Sequence, residues 1–167
     1  MAPMRTYTYA TWLILAVVVV ILDYWTKHLA SQNLILYRPM PVTGWFNLTL
    51  AHNEGAAFSL LADAGGWQRW FFTTVAVVIS GVLLVWLWRL PNRSRLLPSA
   101  LMLVLGGAIG NTIDRIRYGY VVDFLDVHYQ GWHWPAFNIA DSAIVLGVIL
   151  LLIDGFLPRR GPQPSES

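Results

Sequence analysis

The 167-residue chain contains no cysteine. That excludes disulfides, thiol nucleophiles and cysteine metal sites. Charge is also scarce. Only 12% of residues are Asp, Glu, Lys or Arg, against about 25% in an ordinary soluble domain. The four histidines, His28, His52, His128 and His133, form neither an HExxH pattern nor a His-x3-His pair, which argues against zinc. The glycine cluster GGAIGN, Gly106 to Asn111, lies inside an apolar run with no phosphate-binding lysine after it. The net charge of +2 is too small and too dispersed for a nucleic-acid partner. No metal and no cofactor is expected.

What the chain has in quantity is apolar surface. It is 56% hydrophobic, and nine tryptophans help bring the aromatic share to 14%. Mean hydropathy is +0.53. Such a composition indicates an integral membrane protein, with tryptophans suited to the membrane–water boundaries. The length is that of one domain, residues 1–167.

Four spans are expected, because each apolar run reaches about the 20 residues that cross a bilayer. The first covers 9–30; it ends on Asp-Tyr-Trp instead of a small-residue cleavage site, so it is expected to be retained and not removed as a signal peptide. The others cover 67–90, 96–113 and 138–157. Residues 31–66 contain the helix breakers Pro39, Pro41 and Gly44 and an alternating stretch from Trp45 to Ala51. They read as a small sheet on the membrane surface. Residues 114–137 form a second loop on the same side, aromatic from Tyr118 to Phe137, and residues 158–167 a disordered tail. Gly106-x-x-x-Gly110 and Ala143-x-x-x-Gly147 suggest facing surfaces for close packing of the third and fourth helices.

An even number of spans puts both termini on one side. That side carries Arg5, Arg89, Arg93, Arg95, Arg159 and Arg160 against Asp154 and Glu166. The other side has more acids than bases. Basic residues in short loops stay cytoplasmic, so both termini are expected there and both large loops outside.

Two acids flank the aromatic loop. Asp123 lies in VVDFLD, where the alternation of Val122 and Phe124 with Asp123 and Leu125 suggests a short strand aiming one carboxylate. A bland alternative is a solvated acid paired with Arg115 or Arg117. Asp141 lies in FNIADS at the mouth of the last span. Asn138 is a good N-cap and an acid three residues later suits the first turn, worth about 1 kcal/mol as a cap. Against that simple reading, acids beside lipid are costly and usually functional. Two carboxylates a few ångströms apart cannot both ionise, so the pair holds an acid and a base at neutral pH. Such a dyad can activate water and protonate a scissile carbonyl without metal, serine or cysteine. Asp126 points elsewhere on the strand and reads as structural. Asp23 and Lys27, four apart on the first helix, read as an interfacial ion pair worth a few tenths of a kcal/mol, with a possible part in anchoring the site.

Five stretches then match one family in order: DYWTK at Asp23, NEGAAF at Asn53, GGAIGNTIDR at Gly106, VVDFLD at Val121 and FNIADS at Phe137. The chain resembles the lipoprotein signal peptidases (signal peptidase II), bacterial inner-membrane aspartyl peptidases. The resemblance implies a membrane all-α fold of four transmembrane helices with a small periplasmic β-cradle, plus the interfacial aromatic loop. It implies Asp123 and Asp141 as the catalytic pair, with Asn53, Asn111, Arg115 and Asn138 as the polar shell. Asp23, Lys27, Gly55 and Asp114 match supporting positions. The implied substrate is a prolipoprotein whose cysteine carries diacylglycerol, cut just before that cysteine. Membrane lipid is the other partner, a globomycin-type inhibitor is expected to share the groove, and a monomer is expected. The loop from Asn53 to Phe58 is expected to close over substrate. A proton-conducting subunit would need acids near mid-bilayer, an assembly protein could dispense with both aspartates, and the signatures of presenilin-like proteases are absent.

Overall fold

The computed structural model describes residues 6–55, 66–90 and 95–157. The order is α1 (Thr6–Asn33), β1 (Met40–Thr43), β2 (Phe46–Asn53), α2 (Trp67–Arg89), α3 (Leu96–Tyr118), β3 (Val121–Tyr129), β4 (Trp132–His133) and α4 (Ile139–Phe156). All four helices are long and apolar enough to cross a membrane. At about 1.5 Å per residue, the 28 residues of α1 run to roughly 42 Å, beyond the roughly 30 Å of bilayer hydrocarbon. Its last turns, which carry Asp23 and Lys27, therefore reach toward the polar boundary.

Helix α3 is the hub. Its most apolar window is 56% buried, against 17% for each of the other three helices. Leu101, Met102 and Leu105 of α3 pack with Leu83 and Leu87 of α2 and Ala16 of α1. Small residues permit the close approaches, though not in the expected pairing. A Cβ on Gly106 would lie 2.7 Å from Val19 Cβ of α1. It is Gly107 that meets α4, where a Cβ would collide with the Ala140 carbonyl. Gly147 of α4 fits against Ala100 and Val104 of α3. Gly110 lies where α1, α3 and α4 converge, next to Asp23 and Ala140.

Two expected boundaries move. The third helix does not stop at Ile113; it continues to Tyr118 and ends on Gly119, whose φ of 89° is the left-handed conformation that closes a helix. Nor is the sheet confined to residues 31–66, or the aromatic stretch a loop. Four antiparallel strands run in the order β1-β2-β3-β4, so half of the sheet comes from that stretch. Asn53 pairs with Val121, Ala51 with Asp123 and Phe46 with Val127. Gln130 and Gly131, both at positive φ, make the two-residue turn that suits a right-twisted hairpin. The edge strand β1 is exposed throughout and contains Pro41, as an unpaired edge tolerates. Ala30, Leu50, Val122 and Phe124 seal the sheet to the helix ends.

Candidate active site

The ends of α1, α3 and α4 meet β2 and β3 at the sheet side of the bundle, and Asn138 is their junction. It is fully buried and caps α4. Its Oδ1 accepts the Asp141 N–H at 2.9 Å, while the Asp141 carboxylate accepts the Asn138 N–H at 3.3 Å. This reciprocal pair is a capping box, so the capping reading of Asp141 is correct as far as it goes. The same Asn138 side chain also donates through Nδ2 to Asp123 Oδ1 at 2.7 Å. One amide thus touches the segments carrying both acids.

Asp123 is 2% exposed. Its other oxygen accepts from Asn53 Nδ2 at 3.0 Å. Asp141 accepts from Asn111 Nδ2 at 2.7 Å. Burial, and then the negative charge of Asp141, push the Asp123 carboxyl up to about 7; the amides of Asn53 and Asn138 oppose the rise. The bland alternative, a solvated Asp123 paired with Arg115 or Arg117, is not observed. Arg115 Nη2 donates instead to the Gly55 carbonyl at 3.3 Å, and its guanidinium sits over the Phe72 ring. Arg117 is exposed and donates to the Tyr24 hydroxyl.

Both aspartates, with Asn53, Asn111 and Arg115, line a cavity of about 1060 Å³. Its wall also includes Tyr37, His52 and Glu54 near the sheet, and Ile144, Val145 and Ile149 along α4. A polar end and a greasy end therefore meet at the acids. Trp134 to Phe137 form part of the same wall. Of the loop expected to close over substrate, residues 56–58 lie outside the described residues.

Asp23 and Lys27 are not a surface pair worth a few tenths of a kcal/mol. They are 1% and 3% exposed. Lys27 Nζ reaches Asp23 at 2.7 Å, Asp114 at 2.9 Å and Asn111 Oδ1 at 3.0 Å. A spacing of four shows which side chains are neighbours but not what covers them. Asp126 lies apart, three positions along the strand. It accepts from Asn47 and Thr49, both at 3.0 Å, and faces His133 Nδ1 at 2.8 Å. Burial would raise its carboxyl, but the bonds from Asn47, His133 and Thr49 outweigh that and hold it below the usual range. Asn47, Thr49 and His133 gave no signal in the sequence, because their shared partner is set by strand pairing. Among the described residues no group of three His, Cys, Asp or Glu could hold a metal.

Four helices able to cross a membrane, a small antiparallel sheet at one end and a cleft walled by two acids define a multi-pass membrane enzyme. The profile of the family described as Signal peptidase (SPase) II matches residues 15–157, and the chain belongs to that family. It is 56% identical over 157 residues to a lipoprotein signal peptidase of Acinetobacter baumannii, covering 93% of this chain and 89% of the relative. It is 54% identical over 156 residues to that of Acinetobacter baylyi, covering 93% and 87%. A bacterial membrane enzyme solved by the in meso method at 2.3 Å superposes with a TM-score of 0.81 at 32% identity, covering 95% of this chain and 94% of the other. As a member of this family the protein is a bacterial membrane peptidase that acts in lipoprotein processing.

Proposed function

We propose that the protein removes signal peptides from diacylglyceryl-modified prolipoproteins, cutting before the lipidated cysteine with Asp123 and Asp141 as an acid–base pair. The observation that carries this is the cleft, where two carboxylates linked through Asn138 and Asn111 stand between a polar rim and an apolar channel. A lipid-anchored chain brings a similar combination, with acyl groups and an apolar segment on one side and a peptide that must reach water on the other.

Asp141 is the base. It sits in the first turn of α4, where the Asn111 side-chain amide and the Asn138 backbone N–H both donate to it. Asp123, raised toward neutrality, keeps the proton. Asp141 takes a proton from water as the oxygen attacks the scissile carbonyl carbon, and Asp123 gives its proton to the carbonyl oxygen. The tetrahedral diol then collapses. Asp141 returns its proton to the departing amine, and Asp123 recovers one from a diol hydroxyl, which closes the cycle. Arg115, on the cleft wall, is placed to hold the substrate backbone. The sheet and cleft lie at the periplasmic face and the termini in the cytoplasm, and residues 1–167 act as one peptidase unit. A globomycin-type inhibitor would occupy the same cleft.

Cleavage of a lipidated precursor by purified variants tests the pair. Asp123→Asn and Asp141→Asn should each lower kcat by about a hundredfold to ten-thousandfold, the usual contribution of a general acid or base. Asp126→Asn should keep most of the activity. Undiminished cleavage by either of the first two variants would refute the mechanism.

A further inference from the structure

Lys27 has three donors and three acceptors around it: Asp23, Asp114 and Asn111. None of Lys27, Asp23 and Asp114 lines the cleft. The two acids have second partners of a particular kind. Asp23 Oδ1 accepts the backbone N–H of Ala140 at 2.9 Å. Asp114 accepts the backbone N–H of Val122 at 3.1 Å. Ala140 immediately precedes Asp141, and Val122 immediately precedes Asp123. The two segments that carry the cleft acids are thus tied, through one carboxylate each, to a single ammonium. Lys27 also holds the oxygen of the Asn111 amide, which leaves its NH2 turned to Asp141.

We infer that the Asp23–Lys27–Asp114 bridge is a spacer that fixes the separation of Asp123 and Asp141. Its three members are positioning residues, and they act through the backbone on either side of the cleft. The inference rests on the acid–base pair proposed above. The bridge is held in a low-dielectric site where an unpaired charge is costly, so it has one arrangement and passes that rigidity to both acids. Gly110 belongs to the device. A Cβ there would come within 2.6 Å of Asp23 Oδ2, so the glycine makes room for the bridge.

The spacing has a readout of its own. A close pair of acids titrates in two separated steps, which appear as the two limbs of the pH profile of kcat. Once the bridge is loosened, like-charge repulsion drives the acids apart, their coupling falls and the limbs converge. Other titratable or charged groups around them are Lys27, Asp23 and Asp114 behind the cleft, with Arg115 on its wall and Tyr37, His52 and Glu54 at the rim. Backgrounds carrying His52→Gln or Glu54→Gln keep those two rim groups out of the profile.

The experiment compares full-length wild type with Lys27→Met, Asp23→Asn, Asp114→Asn and Gly110→Ala in phospholipid vesicles. The substrate is a diacylglyceryl-cysteine lipopeptide, and melting temperature is recorded in parallel. A small misplacement of reacting groups costs on the order of a hundredfold in kcat. That loss is expected here, with KM within about twofold and a narrower bell. Adding Asp114→Asn to Lys27→Met should cost little more, because the two share one bridge. A lower profile of unchanged width would make the bridge a folding support only and overturn the inference. Limbs that move together without converging would make Lys27 a source of charge and not a spacer, which also overturns it. If Lys27→Met does not fold, the near-isosteric Asn variants carry the comparison. A wild-type profile without two limbs would sink the acid–base pair itself, an outcome distinct from equal widths in wild type and variants.

Discussion

A carboxyl that titrates near neutrality inside a protein weakens the fold at the pH where it works. Asp123 has an ordinary value of 3.8 and a folded value of about 7. The folded state therefore binds its proton more tightly than the unfolded chain does. The stability this contributes is complete below about pH 4 and is lost as pH rises through 7. The span corresponds to about 4 kcal/mol at 1.36 kcal/mol per unit, an order of magnitude only. Asp123→Asn cannot ionise and escapes the loss. Its melting temperature should gain on wild type between pH 5 and 8, and a gap that does not widen with pH would remove the ionisation argument. Asp123 could be picked out in the sequence because an acid alternates there with valine and phenylalanine. Asp141 could because an acid stands at the mouth of an apolar span, where charge is costly. The burial of Lys27 could not, since its cover comes from Asp114 and Asn111, more than eighty residues away.

The helices were easier to read than the sheet, for a physical reason. A span is an unbroken apolar run, and its length alone matches it to the bilayer. A strand is meaningful only with its partner, and β2 finds its partner β3 about seventy residues on. The alternation in VVDFLD indicates a strand without saying what it pairs with. The end of α3 was misjudged for a related reason. Asp114 and Arg115, which follow Ile113, are polar because they face Lys27, Val122 and Gly55, not because the helix has ended. Small residues in the same helix divide their contacts between neighbours. Gly107→Ala tests that division, because its Cβ meets the backbone carbonyl of Ala140, one residue before Asp141. Overpacking costs about 1–3 kcal/mol, so the variant should melt several degrees lower and lose activity beyond its loss of folded protein. Gly155→Ala, whose Cβ meets nothing within 4 Å, is the control expected to do neither.

At the scale of the whole molecule the outer surface is a solvent choice. Val77, Val78 and Val82 on α2 and Val145, Leu146 and Leu152 on α4 are about half exposed or more, a surface suited to lipid and not to water. Trp67 and Trp70 open α2 while Trp86 and Trp88 close it, marking two boundaries about a bilayer apart. The sheet, the cleft and the acids are then at one boundary, and Arg89 and Arg95 at the other. That the first faces the periplasm is the proposal that the charge distribution supports. The chain itself supplies a clean test, since it contains no cysteine and a single introduced thiol is the only one to label. Val42→Cys, on the exposed edge strand, should react with a membrane-impermeant maleimide in spheroplasts. Leu157→Cys, at the far end of α4, should react only after the membrane is opened. The reverse pattern would turn the molecule over and put the cleft on the wrong side for a secreted precursor. It would therefore count against the proposed substrate as well as the orientation.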